Sequence, residues 1–268
     1  MKNKNYLSLS RKNYIKKKKV TAALVNAARI GILAALLGLW EILARTGFID
    51  PFLMSMPSEI IKTIKNLAAS GELLKHAGTT LYETLAGFFI ATVSGVFIAL
   101  LLWWSEFLRR VCEPYIVVLN SLPKIALGPI IIVWFGAGTK SIVFMAVIIT
   151  VIVTVITMEN GFLATEKSKI LLMKSLGATK MQTLTKLVIP ASAPTFVSCL
   201  KINVGMSWIG SIMGEYLVSK QGIGYLIVYG GQVFRLDLVM ASTVILCVLA
   251  ALMYGAVVLA EKLLLKKR

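Results

Sequence analysis

KSLGATKMQTLTKLVIP, residues 174–190, sets three lysines, a glycine and a proline between two long apolar runs. Before Gly177, Leu171, Leu172 and Leu176 share an apolar side; after it, Met181, Leu184 and Leu187 recur at intervals of three. Lys174, Lys180, Gln182 and Lys186 point in other directions, so the stretch reads as two short amphipathic helices hinged at Gly177 and Ala178, with Pro190 opening the next apolar run. Physical chemistry offers two fates for such an elbow. It can lie on anionic lipid through its lysines, or it can present a knob to a partner, with glycine allowing the sharp turn and the apolar side filling a groove.

The surrounding chain decides the setting. Of 268 residues, 57% are hydrophobic, and the mean hydropathy is +0.82. That apolar share marks an integral membrane protein. A helix needs roughly 20 mostly apolar residues to cross the hydrocarbon. Windows at 25–45, 80–103, 114–135, 140–158, 191–214 and 238–260 qualify, giving an all-α protein of about six spans. Pro123 and Pro129 interrupt the third window, which is expected to be a broken helix. The chain divides into a basic tail at 1–24, a membrane domain at 25–262 whose loop at 159–190 holds the elbow, and a basic end at 263–268.

The formal charge of +17 does not describe a nucleic-acid binder, because Lys and Arg lie between and beyond the spans instead of along one soluble face. It describes topology. With the N-terminus inside, 20 basic residues fall in inner segments and 7 in outer ones, so both termini are expected in the cytoplasm. The long first apolar window ends without a small-x-small cleavage pattern, which argues against a secretory signal. Between the first two spans, MPSEIIKTIKNLAASGELL (56–74) predicts a short surface helix starting near Pro57 and Ser58.

Catalytic signatures are missing. FGAGTKS (135–141) imitates a phosphate loop, but Thr139 occupies the place of the second glycine, so a tight turn is expected. No nucleophile triad, metal-ligand spacing or paired-carboxylate motif is present, and no catalytic or metal residue is assigned. Cys112, Cys199 and Cys247 read as small core residues, and the single His76 as an interfacial one.

Charges inside spans cost about 2.5 to 3.5 kcal/mol at mid-helix on insertion scales, which makes each one a functional candidate. Lys124 and Lys201 either snorkel to the interface or face a watery path and attract an anion. Glu41, Glu83 and Glu215 read as helix-end residues or interhelix partners, with a pathway role as the alternative. Asn120 and Ser121 on the third span, and Asn203, Gly205, Ser207, Trp208, Gly210 and Ser211 on the fifth, gather polar and small groups. Small residues let helices approach closely. Asn120, Ser121, Lys124, Lys201, Asn203, Ser207, Trp208 and Glu215 form the candidate translocation set.

Gly177, followed after nine residues by Leu187-Val188-Ile189-Pro190, resembles the cytoplasmic loop of ATP-binding-cassette importer permeases, E-A-A-x-x-x-G-x9-I-x-L-P. SLPKIALGPIIIVWFGAG (121–138), SLGATKMQTLTKLVIPASAP (175–194), WIGSIMGEYL (208–217) and GIGYLI (222–227) resemble the branch handling nitrate, sulfonate, taurine, bicarbonate or thiamine precursors. Leu171, Leu172 and Met173 replace the E-A-A triplet, so no role is transferred from the family's acidic residue.

The resemblance implies a type I permease fold working as a homodimer, with two cytoplasmic ABC ATPase subunits inside and a solute-binding protein outside. It also implies coupling through Gly161, Lys174, Gly177, Ala178, Met181, Leu184, Leu187 and Pro190. ATP and magnesium would sit on the partner, with no cofactor on this chain. The implied cargo is a small organic or inorganic anion such as a sulfonate, taurine or nitrate, with a thiamine precursor or other neutral metabolite as the alternative. A competing class is a scaffold or sensor that transports nothing; a secondary carrier would call for inverted repeats, which are not evident.

Overall fold

The structure, a computed structural model, describes residues 9–48 and 54–265. The outermost basic residues expected at 1–8 and 266–268 therefore lie outside the described residues, as do 49–53 of the first loop. The described chain is helical, without strands, and falls into two compact units meeting at Lys62 and Thr63.

The first unit contains α1 (Leu9–Arg45) and the start of α2 (Pro57–Ala69). α1 begins well before the expected position 25, absorbing part of the basic tail into the helix. At its other end Glu41 accepts from Arg45 Nε at 2.7 Å and from the Ser58 amide and hydroxyl at 3.1 and 2.9 Å. Glu41 is thus a helix-end residue, and it satisfies one of the free amides that open α2.

The second unit contains α3 (Glu72–Trp104), α4 (Glu106–Ser121), a 3₁₀ turn (Lys124–Leu127), α5 (Gly128–Phe135), α6 (Thr139–Leu163), α7 (Lys167–Ser175) and α8 (Lys180–Thr183). A π-helical stretch (Leu184–Val188) leads into α9 (Ile189–Val218), followed by α10 (Ile223–Gln232) and α11 (Leu236–Leu265). Among the described residues five helices are long and apolar enough to cross a membrane, and a sixth span forms if α4 and the Lys124–Phe135 segment count together. That pair bends by 88°. The break is where the prolines demand it: Leu122, before Pro123, is extended, and Pro129 sits in the first turn of α5. The helix starts at Glu106, earlier than the expected 114, and carries Pro114 inside it.

α3, α6 and α9 make the core, and glycines set their spacing. A Cβ on Gly210 of α9 would collide with the Ala146 backbone, while one on Gly87 of α3 would collide with the Ala146 side chain. Gly95 meets Thr154 in the same way, and a Cβ on Gly214 would lie 2.9 Å from Ile142 Cα. α6 is therefore clasped by small-residue faces from both sides, the packing that replaces the hydrophobic drive inside lipid. FGAGTKS is the turn expected of it: Gly136 and Gly138 adopt φ of 78° and 148° between α5 and α6.

Candidate functional site

The elbow is built by capping. α7 ends at Ser175; Gly177, with φ 78°, donates to Lys174 O, and Ala178 donates to Met173 O, both at 2.9 Å. A left-handed glycine closing a helix in this way uses carbonyls that would otherwise be unpaired. α8 opens with a capping box: Gln182 N–H donates to Thr179 Oγ1 at 3.2 Å and the Thr179 amide to Gln182 Oε1 at 2.9 Å. Two helices hinged at Gly177 and Ala178 are present as expected. The second is not separate, however: it continues through the π stretch into α9, making a helical rod from Lys180 to Val218. Pro190 falls in the first turn of α9, and Ile189 to Val188 continues upstream without a break.

Exposure divides the elbow's apolar residues. Leu171, Leu172, Leu176 and Met181 are exposed, whereas Leu184 and Val188 join a core of Ala99, Met158, Phe162 and Cys199. Met181, Leu184 and Leu187 consequently do not form one outward face, because Leu184 turns inward and Leu187 is half-buried. Space around a Cβ at Gly177 is open, and Lys174 is exposed. Gly161 lies elsewhere: it is the close approach of α6 to Thr195 on α9. Beside the elbow, the Lys169 hydrogen bond at 2.8 Å holds the Glu166 carboxyl below its ordinary range. Lys180 reaches back to the end of α3, its Nζ donating to Trp104 O and lying 5.1 Å from the indole centroid.

The intramembrane candidates separate into three groups. Asn203, Ser207, Trp208 and Glu215 are buried within the protomer. Asn203 Nδ2 donates to Thr92 Oγ1 at 2.9 Å and its Oδ1 accepts from Thr154 at 3.1 Å; Thr150 and Ser207 lie 3.3 Å apart, and Thr84 and Ser211 2.6 Å. This is a polar ladder joining α3, α6 and α9. Asn120 and Ser121 are exposed at the end of α4, and Lys124 Nζ donates to Asn120 O at 3.3 Å beside an apolar cavity of about 390 Å³. Lys201 forms a third group alone, ion-paired with Glu261 of α11 at 2.7 Å.

At the end of the bundle opposite the elbow, His76, Thr80 and Glu215 receive three successive amides that open α10. Gly222 donates to His76 Nδ1 at 3.0 Å, Ile223 to Thr80 Oγ1 at 2.7 Å and Gly224 to Glu215 Oε2 at 2.6 Å. His76 is therefore a buried, hydrogen-bonded residue near the start of its span. Sequence reading missed this anchor; the signal was a span-embedded acid a few residues before G-I-G. Of the cysteines, Cys199 is buried as expected, while Cys112 is half-buried and Cys247 exposed. A cavity of about 610 Å³ opens here, lined by His76, Lys75, Lys220, Tyr225, Tyr229 and Arg235. Its Arg235 is bound to Asp237 at 2.9 Å, a contact that pushes the guanidinium further toward its charged form.

A small-residue bundle of membrane helices with a capped, exposed elbow leading into its fifth span defines a polytopic membrane protein that presents a structured loop outside its spans. The chain belongs to the binding-protein-dependent transport system inner membrane component family, whose pattern matches residues 91–266. The formylaminopyrimidine transport permease protein ThiX of Halalkalibacterium halodurans is 31% identical, covering 87% of this chain and 92% of its own. A probable ABC transporter permease protein of Haemophilus influenzae is 29% identical (84% and 91%), and a putative aliphatic sulfonates transport permease protein SsuC of Bacillus subtilis 26% (88% and 85%). Among solved structures, an inward-facing form of the MetNI methionine ABC transporter shares the fold with a TM-score of 0.63 at 21% identity, covering 71% of this chain and 94% of that one. The chain is an ABC importer permease subunit, and the scaffold reading is set aside.

Proposed function

We propose that two copies of this chain form the translocation unit of an importer, each elbow seated in a cytoplasmic ATPase subunit that binds ATP and magnesium. The supporting observation is mechanical: an exposed apolar knob of Leu171, Leu172, Leu176 and Met181 straddles the Gly177 turn, and its Met181 side lies on the helix that continues through the whole fifth span. Closure of the ATPase pair would swing that rod, and transport would be a population shift between two packings of the spans. The 20-to-7 basic asymmetry puts the elbow and both termini on the cytoplasmic side. The opposite end, with its cavity by Lys75, Lys220 and Arg235, would then meet the solute-binding protein. Asn120 and Ser121, left exposed on the bent third span, and the half-buried Lys124 would line the path between copies.

For the cargo, the geometry favours a neutral or weakly charged heterocycle, of the thiamine-precursor kind, over the anion. Lys201, the deepest candidate to attract an anion, is neutralised by Glu261. A relative named for formylaminopyrimidine transport stands at 31% identity. The sulfonate reading is favoured by the relative named for aliphatic sulfonates. Thermal stabilisation of the companion binding protein by formylaminopyrimidine, and not by taurine or an alkanesulfonate, is the expected result. Stabilisation by the sulfonates alone would reverse the assignment.

A further inference from the structure

Glu83 of α3 and Glu215 of α9 are each 1% exposed, and neither takes part in an ion pair among the described residues. The hydroxyls of Thr84, next to Glu83, and Ser211, one turn before Glu215, lie 2.6 Å apart, and this close approach of α3 and α9 brings the two carboxyl groups together as hydrogen-bond partners, with Thr80 beside Glu215 and Thr139 beside Glu83. Glu215 Oε2 is occupied by the Gly224 amide, but Glu215 Oε1 and Glu83 Oε2 have no donor. Gly222 and Gly224 press against the Glu215 carboxyl so closely that a Cβ on either would collide with it. The pair cannot move apart in that direction.

Two bare carboxylates in contact and out of water repel each other strongly, and each unpaired oxygen also pays for its lost hydration. One proton removes both difficulties, converting the contact into a charge-assisted O–H···O bond. A metal ion fits less well, since no group of three acidic, histidine or cysteine side chains gathers among the described residues. We propose that Glu83 and Glu215 bind a single proton between them, and that this proton is a built-in ligand fastening the start of α10 to α3 and α9.

Other titratable or charged groups on the surrounding elements are Glu72, Lys75, His76 and Tyr82 on α3, Lys140 and Glu159 on α6, Lys201 and Tyr216 on α9, and Tyr225 and Tyr229 on α10. His76 is held to the Gly222 amide and stacks on Tyr225, Lys201 is paired with Glu261, and none of these groups donates to either carboxyl. The shared proton therefore has no competing base in direct contact.

Infrared spectroscopy of the full chain in lipid nanodiscs at neutral pH tests this directly. A carbonyl stretch of a protonated carboxylic acid, shifted in D₂O, is expected in the wild type and lost in both Glu83→Gln and Glu215→Gln. Its absence from the wild type, or its survival in both variants, overturns the proposal. Thermal unfolding adds a second readout. Glu83→Gln, which supplies its own N–H, is expected to keep the wild-type midpoint, whereas Glu83→Ala lowers it by leaving Glu215 unpartnered. A midpoint that depends on added sodium, calcium or magnesium, and loses that dependence in Glu83→Gln, would put a metal in place of the proton and overturn it as well.

Discussion

Lys180 Nζ donates to the backbone carbonyl of Trp104 and lies over the same residue's indole ring. One side chain thus fastens the elbow to the end of α3, using a hydrogen bond and a cation–π contact. The carbonyl is available because Trp104 ends its helix, where the last carbonyls lack intrahelical partners. Lys180→Met keeps the stem and removes the charge, so the fold should survive while the elbow loosens. At about 0.5 to 1 kcal/mol for an exposed cation–π contact plus a hydrogen bond of similar size, uptake is expected to fall several-fold with membrane insertion unchanged. Unaltered uptake would show that the contact does not carry force.

Gly177 is the complementary case. Its φ of 78° strains any side chain, at roughly 1 kcal/mol, yet the space around it is open. Gly177→Trp should therefore leave the spans folded while placing a large group in front of the docking knob. Loss of uptake and of ATPase co-purification is the expected outcome, checked by affinity pull-down from membranes. Retention of the ATPase would separate the glycine turn from docking.

The Lys201–Glu261 pair predicts a cycle. Both side chains are about a quarter exposed, so water screens the pair in part and its contribution to stability is small. Lys201→Met is expected to lower the unfolding midpoint slightly by leaving Glu261 alone, and Lys201→Met with Glu261→Gln to restore it. Uptake should fall equally for charged and neutral solutes. A selective loss for anions would return Lys201 to the pathway.

Several features were legible in the sequence because they depend on local pattern. The apolar windows gave the spans, the two prolines gave the break at 122–123, and Gly177 gave the turn. What local pattern could not give was direction. Met181, Leu184 and Leu187 share a three-residue interval, but Leu184 packs into the core while Met181 stays exposed. Asn203 and Ser207 looked like groups for a solute because they are polar in an apolar helix. Their partners, Thr92, Thr150 and Thr154, lie 49 or more positions away in the chain, as the interhelix hydrogen bonds of Asn203 make plain. Glu83 and Glu215, 132 positions apart, likewise could not be paired without the fold.

The ladder supplies the last prediction. Asn203 is fully buried and uses both ends of its amide, donating to Thr92 on α3 and accepting from Thr154 on α6. Interhelix hydrogen bonds in membranes average about 0.6 kcal/mol, with an upper end near 1.7, so losing two of them at once costs roughly 1 to 3 kcal/mol. Asn203→Leu should therefore lower the unfolding midpoint in detergent, and Thr92→Val less, since it removes one bond of the two. Ser121→Ala, on an exposed hydroxyl that bonds its own helix at Val118 O, should leave stability unchanged. If Asn203→Leu instead keeps the wild-type midpoint and selectively impairs uptake, the asparagine faces the solute in another state of the transport cycle, and the ladder is a feature of this conformation alone.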